Sequence, residues 1–331
     1  MSKKPIIGVT LGDPKGVGPE VVVKAVLSKE LANIPIIVFG SYPVLLKAIK
    51  KYALKKCLVN FIRKNNKLRV NYNIINLVDI GGGKELKITC KAEAKSGRAA
   101  YNYILEAINW ANKGIINGVV TAPISKEALK LAKIKFKGHT EIFAQETRTK
   151  NYAMSFFSDN LKIILATTHI PLKTVWAKLT KKRIKETTIL ANEILKKYGI
   201  KKPKLAIAGL NPHAGEKGIM GMEEKALIEP VIKSMKKKGI NIKGPYPPDT
   251  VFLRALNGEF DMAISLYHDQ GLIPMKLINF NNCVNLTCGL PFIRTSPSHG
   301  TAFDISWKGK ADPKSMIEAV KLAYKFASIK K

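Results

Sequence analysis

The stretch 261-DMAISLYHDQGLIPMK-276 decides how the chain is read. Met262 to Leu266 is an apolar run with the length of a buried strand. It opens onto Tyr267-His268-Asp269-Gln270-Gly271, a polar cluster that reads as a glycine-terminated loop. A strand of this kind delivers titratable side chains to a sheet edge, where α/β proteins bind ligands. The pattern occurs twice more. Leu161 to Thr168 runs into His169-Ile170-Pro171, and Leu205 to Leu210 runs into Asn211-Pro212-His213-Ala214-Gly215-Glu216. Three apolar runs each end on a histidine.

Outward from these runs, strands and helices alternate. Ile6 to Thr10 and Ile34 to Phe39 read as strands, with weaker ones near Cys57 to Ile62 and Ile74 to Leu77 and a short one at Val119 to Ala122. Helical spacing covers Pro43 to Lys51, Lys95 to Asn112, Lys181 to Tyr198, Glu223 to Lys238, Thr250 to Asn257 and Pro313 to Ala327. Gly81-Gly82-Gly83 reads as a loop. This βα alternation predicts an α/β fold with mostly parallel sheets. At 331 residues the chain can bury a large core, arranged in two lobes.

Apolar residues make up 46% of the sequence, which places it among globular proteins. No apolar run has the length of a membrane span, and the start MSKKPIIGVTLGD is too short in its apolar part for a signal peptide. Cys57, Cys90, Cys283 and Cys288 form no CxxC pair and read as reduced thiols of a cytoplasmic protein. The net charge of +32 raises the question of nucleic acid. Its lysines, however, are spread over helix surfaces (47 to 56, 181 to 185, 196 to 204, 233 to 238) and are not interleaved with aromatics. A solvated basic surface that also collects anionic substrates is the favoured reading, with no nucleic-acid or membrane partner.

All five histidines (His139, His169, His213, His268, His299) lie at strand ends or Gly/Pro turns. A single one in such a place is most often a surface or capping residue. Imidazoles from three separate strands, though, suit a divalent cation with positions left open for substrate. The turn Gly12 to Glu20 contains Gly16-x-Gly18 but lacks the third glycine of a dinucleotide fingerprint. It reads as a tight strand-to-helix turn or as backbone N–H groups facing a ligand. A late cluster of Lys276, Asn285, Thr287, Arg294, Thr295 and Ser298 around the turn-rich segment 286–293 makes a plausible receptor for phosphate plus carboxylate.

Longer segments carry a resemblance. GDPKGVGPE (12–20), TAPISKEAL (121–129), GHTE (138–141), TTHIPL (167–172), GLNPHAGE (209–216), PPDTVF (247–252), YHDQGLIPMK (267–276) and GLPFIRTSPSHGTAFDI (289–305) run almost end to end. Together they resemble the 4-hydroxythreonine-4-phosphate dehydrogenase family of vitamin B6 biosynthesis. The wider group is similar to isocitrate and isopropylmalate dehydrogenases, whose late loop is matched by 299–305 and 309–313, with Phe303 and Trp307 as departures.

The resemblance implies a two-lobed isocitrate/isopropylmalate dehydrogenase-like fold. Residues 1–331 would form one catalytic unit, discontinuous in sequence, with the active site in the cleft between lobes. It implies His169, His213 and His268 as ligands of a divalent metal (Zn, Mg or Co), in a site shared across a homodimer. His139, Thr140, Lys276, Asn285 and Arg294 would contact a phosphorylated small-molecule substrate. His299, Gly300 and Asp304 would lie at the nicotinamide cofactor, NAD or NADP. Lys276 and Asp249 are the catalytic candidates, and Asp249 or Asp269 would orient a ligand histidine.

The implied reaction oxidises the C3 hydroxyl of 4-phosphooxy-L-threonine, with loss of CO₂ to give 3-amino-2-oxopropyl phosphate. The rival is a sister dehydrogenase acting on 4-phospho-threonate or 4-phospho-erythronate, which the Asp13 form of the first turn keeps open. A phosphate acyltransferase is a more distant alternative.

Overall fold

Runs of four or five apolar residues become strands buried on both faces, and the glycine turns after them start helices. The computed structural model describes residues 4–53, 57–63, 68–81, 87–280 and 282–329. Gly82 and Gly83 of the loop expected at 81–83, and Lys55 and Lys56 of the basic run, lie outside these residues. The chain divides into two compact units, Met1–Lys150 with Leu290–Lys331, and Asn151–Gly289.

The first unit begins with β1 (Ile7–Thr10), α1 (Gly18–Val26), β2 (Ile36–Gly40), α2 (Tyr42–Tyr52), β3 (Val59–Phe61) and β4 (Ile75–Asp79). It continues through α3 (Ala94–Asn112), β5 (Gly118–Thr121), α4 (Lys126–Leu131) and α5 (His139–Glu146). The second unit holds β6 (Ala153–Phe157), β7 (Lys162–Leu165), α6 (Val175–Lys178), α7 (Lys181–Lys197), β8 (Leu205–Ala208) and α8 (Glu229–Lys237). Then come β9 (Ile242–Tyr246), α9 (Val251–Leu256), β10 (Met262–Ser265), α10 (His268–Asn279) and β11 (Val284–Cys288). The chain returns to the first unit for β12 (Ile293–Pro297) and α11 (Lys314–Ser328).

In the first unit the strand order is β3-β4-β2-β1-β5-β12, and every pair is parallel. All residues of β1, β2 and β5 are buried, as expected of a parallel sheet with helices on both faces. Its core gathers Ile37, Phe39, Ile104, Trp110, Val119 and Phe143, with the Trp110 indole edge-on to Phe39. In the second unit the order is β11-β6-β7-β10-β8-β9. There β7, β10, β8 and β9 run parallel, while β6 is antiparallel to both of its neighbours. Its core is built on Leu161, Ile163, Leu165, Ala206, Ala263, Leu272 and Met275.

The predicted α/β architecture is therefore present, with three differences. The cluster 267–271 is not a loop, because His268 begins α10 directly. Asp269 suits the positive first turn of that helix. Gly271 serves close packing rather than a turn: a Cβ there would lie 2.5 Å from Ser265 Oγ and 2.8 Å from Ile163 Cδ1. The helix expected over 223–238 opens with a π turn, Glu224–Ile228, before α8. Pro230 has no N–H to give to the carbonyl four residues back, so the backbone widens just ahead of it. The turn-rich segment 286–293 is half strand, since β11 and β12 carry Asn285 and Arg294 and leave 289–292 as the connection.

Candidate active site

The three histidine-bearing runs become β7, β8 and β10, which lie side by side in parallel with β10 in the middle. Their ends are level: Leu165 pairs with Ser265, and Ile207 with Ile264. His169, His213 and His268 thus all follow the carboxyl ends of neighbouring strands, the edge at which α/β sheets bind ligands. His169 and His268 come together, with ring centroids 5.1 Å apart. His268 Nδ1 lies 2.7 Å from Asp269 Oδ1, and its side chain is 32% exposed.

His213 is exposed and sits in Pro212–Gly218, where five consecutive residues from His213 to Lys217 hold positive φ. Among the described residues, no three His, Cys, Asp or Glu side chains gather into a metal-holding group. The donor chemistry present fits a divalent cation in part. With Nδ1 held by a carboxylate, Nε2 is the nitrogen His268 has to offer a cation, an arrangement common in metal-binding histidines.

The strand ends are laced by buried side chains that the sequence reading did not single out. Gln270 Oε1 accepts from Leu266 N at 2.7 Å, and its Nε2 donates to Gly209 O at 2.8 Å. Thr167 Oγ1 donates to Leu266 O at 2.7 Å. Glu224 accepts from the Leu210 and Asn211 N–H groups at 2.8 and 2.9 Å. Arg183 Nε donates to Ala166 O at 2.6 Å. A glutamine one turn from a histidine was the only sequence signal for the first of these; the others carried none.

Of the remaining candidates in this unit, Lys276 is exposed in the last turn of α10, and Asp249 is exposed before α9. Asn285 is half-buried on β11, with Oδ1 sheltered and without a partner among the described residues. Such an orphaned acceptor is what a ligand donor would satisfy.

The first unit holds the cationic part. Arg294 on β12 is 2% exposed and donates to Thr121 Oγ1 at 2.6 Å, with its guanidinium 5.6 Å from the Phe143 ring centre. Burial pushes its pKa down to about 9, which leaves it charged at neutral pH. His139 starts α5, and its Nε2 is sheltered with no partner among the described residues. Burial first, and then the Arg294 charge, hold the imidazole well below its ordinary pKa and therefore neutral. Thr140 is half-buried beside it. The structure thus brings Arg294 and His139 together.

The 12–20 turn spends its N–H groups on the protein. Asp13 N donates to Pro123 O, Gly16 N to Asp13 O and Val17 N to Thr301 O. The tight-turn reading holds at these positions, and the ligand-facing alternative does not. Asp13 is buried, accepts from Lys15 N at 2.9 Å and Ser96 Oγ at 3.3 Å, and has its pKa raised by burial. Lys15, 1% exposed, pairs with Glu93 and donates to Thr89 Oγ1 at 2.9 Å. Glu20 does more than sit near a helix end, since its buried carboxylate accepts from Ala311 N at 2.9 Å and Gly309 N at 3.2 Å. It thereby anchors the late loop containing His299, Gly300 and Asp304. His299 is half-buried with Nδ1 3.0 Å from Gly300 O, while Gly300 and Asp304 are exposed. Trp307, a departure from the late-loop pattern, donates its indole N–H to Pro14 O at 3.0 Å.

The α/β fold is shared with solved structures of different activities. A β-decarboxylating dehydrogenase from Thermococcus kodakarensis aligns over 97% of this chain and 83% of its own, with a TM-score of 0.50 at 12% identity, a likeness of fold alone. The family described as pyridoxal phosphate biosynthetic protein PdxA matches residues 32–323, and the chain belongs to that family. It is 42% identical to the 4-hydroxythreonine-4-phosphate dehydrogenase of Desulforapulum autotrophicum, over 98% of this chain and 96% of that one. It is 41% identical to the D-threonate 4-phosphate dehydrogenase of Salmonella typhimurium, over 97% and 98%. The crystal structure of 4-hydroxythreonine-4-phosphate dehydrogenase from Klebsiella pneumoniae superposes with a TM-score of 0.91 at 38% identity, covering 98% of this chain and all of that one.

Proposed function

We propose that the chain is a metal-dependent, NAD- or NADP-linked dehydrogenase. It oxidises the C3 hydroxyl of 4-phosphooxy-L-threonine and releases CO₂ to give 3-amino-2-oxopropyl phosphate, in pyridoxal 5'-phosphate biosynthesis. The observation that carries this reading is the placement of three histidines after the level carboxyl ends of adjacent parallel strands, in a chain of this family. His169, His213 and His268 would hold the divalent cation (Zn, Mg or Co), which would supply Lewis acidity to ease loss of the alcohol proton.

The chain's own side chains do the rest. Arg294 supplies a buried fork, charged at neutral pH, suited to a phosphate or carboxylate. Neutral His139 and Thr140 beside it, with Lys276 and Asn285, complete the substrate contacts and aim the carbinol hydrogen at the nicotinamide. His299, Gly300 and Asp304 lie along the cofactor. A bound nicotinamide would supply the hydride acceptor, and Asp249 or Lys276 would take the alcohol proton. The two units act as one catalytic unit in a cytoplasmic homodimer whose partner shares the metal site.

The exposed apolar side of α9 and α10 supports such a dimer. Phe252, Leu253, Ile273, Leu277 and Ile278 line an open groove of about 480 Å³ there, with Leu277 85% exposed. A face of this kind marks an interaction surface.

The second reading, D-threonate 4-phosphate as substrate, is favoured by the 41% identity to the Salmonella relative. Cofactor reduction with each substrate in turn separates the two. Higher kcat/KM on 4-phosphooxy-L-threonine supports the first reading, and higher kcat/KM on D-threonate 4-phosphate replaces it with the second.

A further inference from the structure

Gln270 occupies an unusual place at the sheet edge. Strands β8 and β10 are directly paired up to Ile207 and Ile264. Just beyond that pairing, the Gln270 side chain stands between Leu266 and Gly209. Its carbonyl takes the Leu266 N–H at 2.7 Å, and its amide N–H₂ gives to Gly209 O at 2.8 Å. A primary amide has the donor and acceptor of a peptide unit. The side chain therefore acts as an inserted rung, satisfying both strands while holding their ends further apart than a direct hydrogen bond would allow.

Both anchor points lead directly into histidines. Leu266 is two residues before His268, and Gly209 is four residues before His213. Gln270 itself lies in the first turn of α10, which His268 begins, and is only 8% exposed. Thr167 ties the third run to the same residue, since its Oγ1 and N–H both donate to Leu266 O. All three histidine segments thus refer to the peptide units around Leu266. Gln270 sets the separation of two of them.

We infer that Gln270 is a positioning residue for the metal site: its carboxamide fixes the spacing of the His213 and His268 segments and so sets cation affinity without touching the cation. This rests on the histidine reading above. It holds equally where the partner subunit supplies part of the ligand set, because both segments are fixed within each chain.

The test uses the full chain stripped of metal, with Co²⁺ as the probe. Titration calorimetry and the Co²⁺ visible absorption band are recorded for wild type, Gln270→Met, Gln270→Asn, Ser155→Ala and His268→Ala. Methionine keeps the length and loses both hydrogen bonds, whereas asparagine keeps the amide on a shorter stem. Ser155→Ala removes another buried hydrogen bond of the same unit, Ser155 Oγ to Leu286 O, away from the histidines.

The expected result for Gln270→Met is a loss of Co²⁺ affinity of about 10- to 100-fold, the range found when groups supporting a ligand are removed. Its absorption band should change while the metal-free melting temperature stays close to that of Ser155→Ala. Gln270→Asn should lie between Gln270→Met and wild type, and Ser155→Ala should bind as wild type does. Co²⁺ affinity and spectrum of Gln270→Met equal to wild type, or a loss in Ser155→Ala as large as in Gln270→Met, overturns the inference and leaves the histidine site standing. Binding by His268→Ala equal to wild type removes the histidine site itself, and this inference with it.

Discussion

His139 places an imidazole nitrogen with no partner among the described residues beside a buried guanidinium, and that company decides its charge. Burial and Arg294 hold its pKa well below the ordinary value, so the folded protein keeps the ring neutral. The unfolded chain takes up the proton as pH falls through about 6.5. More protons are then bound by the unfolded state, so this group makes stability fall as pH drops below about 6.5, and the effect is absent above it. His139→Gln, which does not titrate, should flatten the dependence of the urea midpoint on pH between about 5 and 7. An unchanged slope in that variant would show that the ring is not held neutral. The neutrality suits a substrate contact, since a neutral ring whose other nitrogen donates to the Ala122 backbone offers Nε2 as an acceptor for a substrate donor beside Arg294.

At the scale of elements, helix α1 and the late loop depend on one carboxylate. Glu20 is 1% exposed and accepts from Gly309 N, Ala311 N and Lys24 Nζ, while Lys24 also donates to the Gly309 and Ala311 carbonyls at 2.9 Å. Glu20→Ala leaves the buried Ala311 N–H and the part-buried Gly309 N–H without their acceptor and takes the carboxylate from Lys24, which should cost about 3 kcal/mol of unfolding free energy. Chemical denaturation measures it, and a loss below about 1 kcal/mol would mean that the loop is held elsewhere. The sequence made this element half legible. The strand-to-helix turn at 12–20 announced a helix after it, but nothing local said that the Glu20 carboxylate faces a loop 289 residues further on.

The same limit explains α10. Tyr267-His268-Asp269-Gln270-Gly271 carries loop residues by type, and tertiary packing overrides that preference. The glycine allows the helix to press on Ser265 and Ile163, and the glutamine is spent on neighbouring strands. Strand-to-histidine order could be read along the chain because it is local. The adjacency of β7, β10 and β8, which gives that order its meaning, comes from pairings 57 to 100 residues apart that no window of sequence contains.

At the scale of the molecule, the fold class followed from periodicity and the family from long matching segments. The balance of the site between one chain and two did not follow from either. His169 and His268 approach each other within one chain, whereas no group of three ligands forms among the described residues. The proposed homodimer, with the apolar side of α9 and α10 as its surface, would let a partner complete the ligand set. Leu277→Glu, at a position 85% exposed, should leave the fold intact and convert the protein to monomer in light scattering, with loss of cofactor reduction. A dimer of wild-type activity would remove α10 from the interface. The charge of +32 belongs at this scale too, as a field that draws phosphorylated anions toward the protein.

The central claim is that imidazoles from three strand ends hold a cation that the oxidation needs. It is tested most directly by following nicotinamide reduction with 4-phosphooxy-L-threonine before and after chelation, in wild type and in His169→Ala. The account predicts that chelation abolishes turnover, that added Zn²⁺, Mg²⁺ or Co²⁺ restores it in wild type, and that no metal restores it in the variant. Turnover that survives chelation, or a His169→Ala protein as active as wild type, would contradict it.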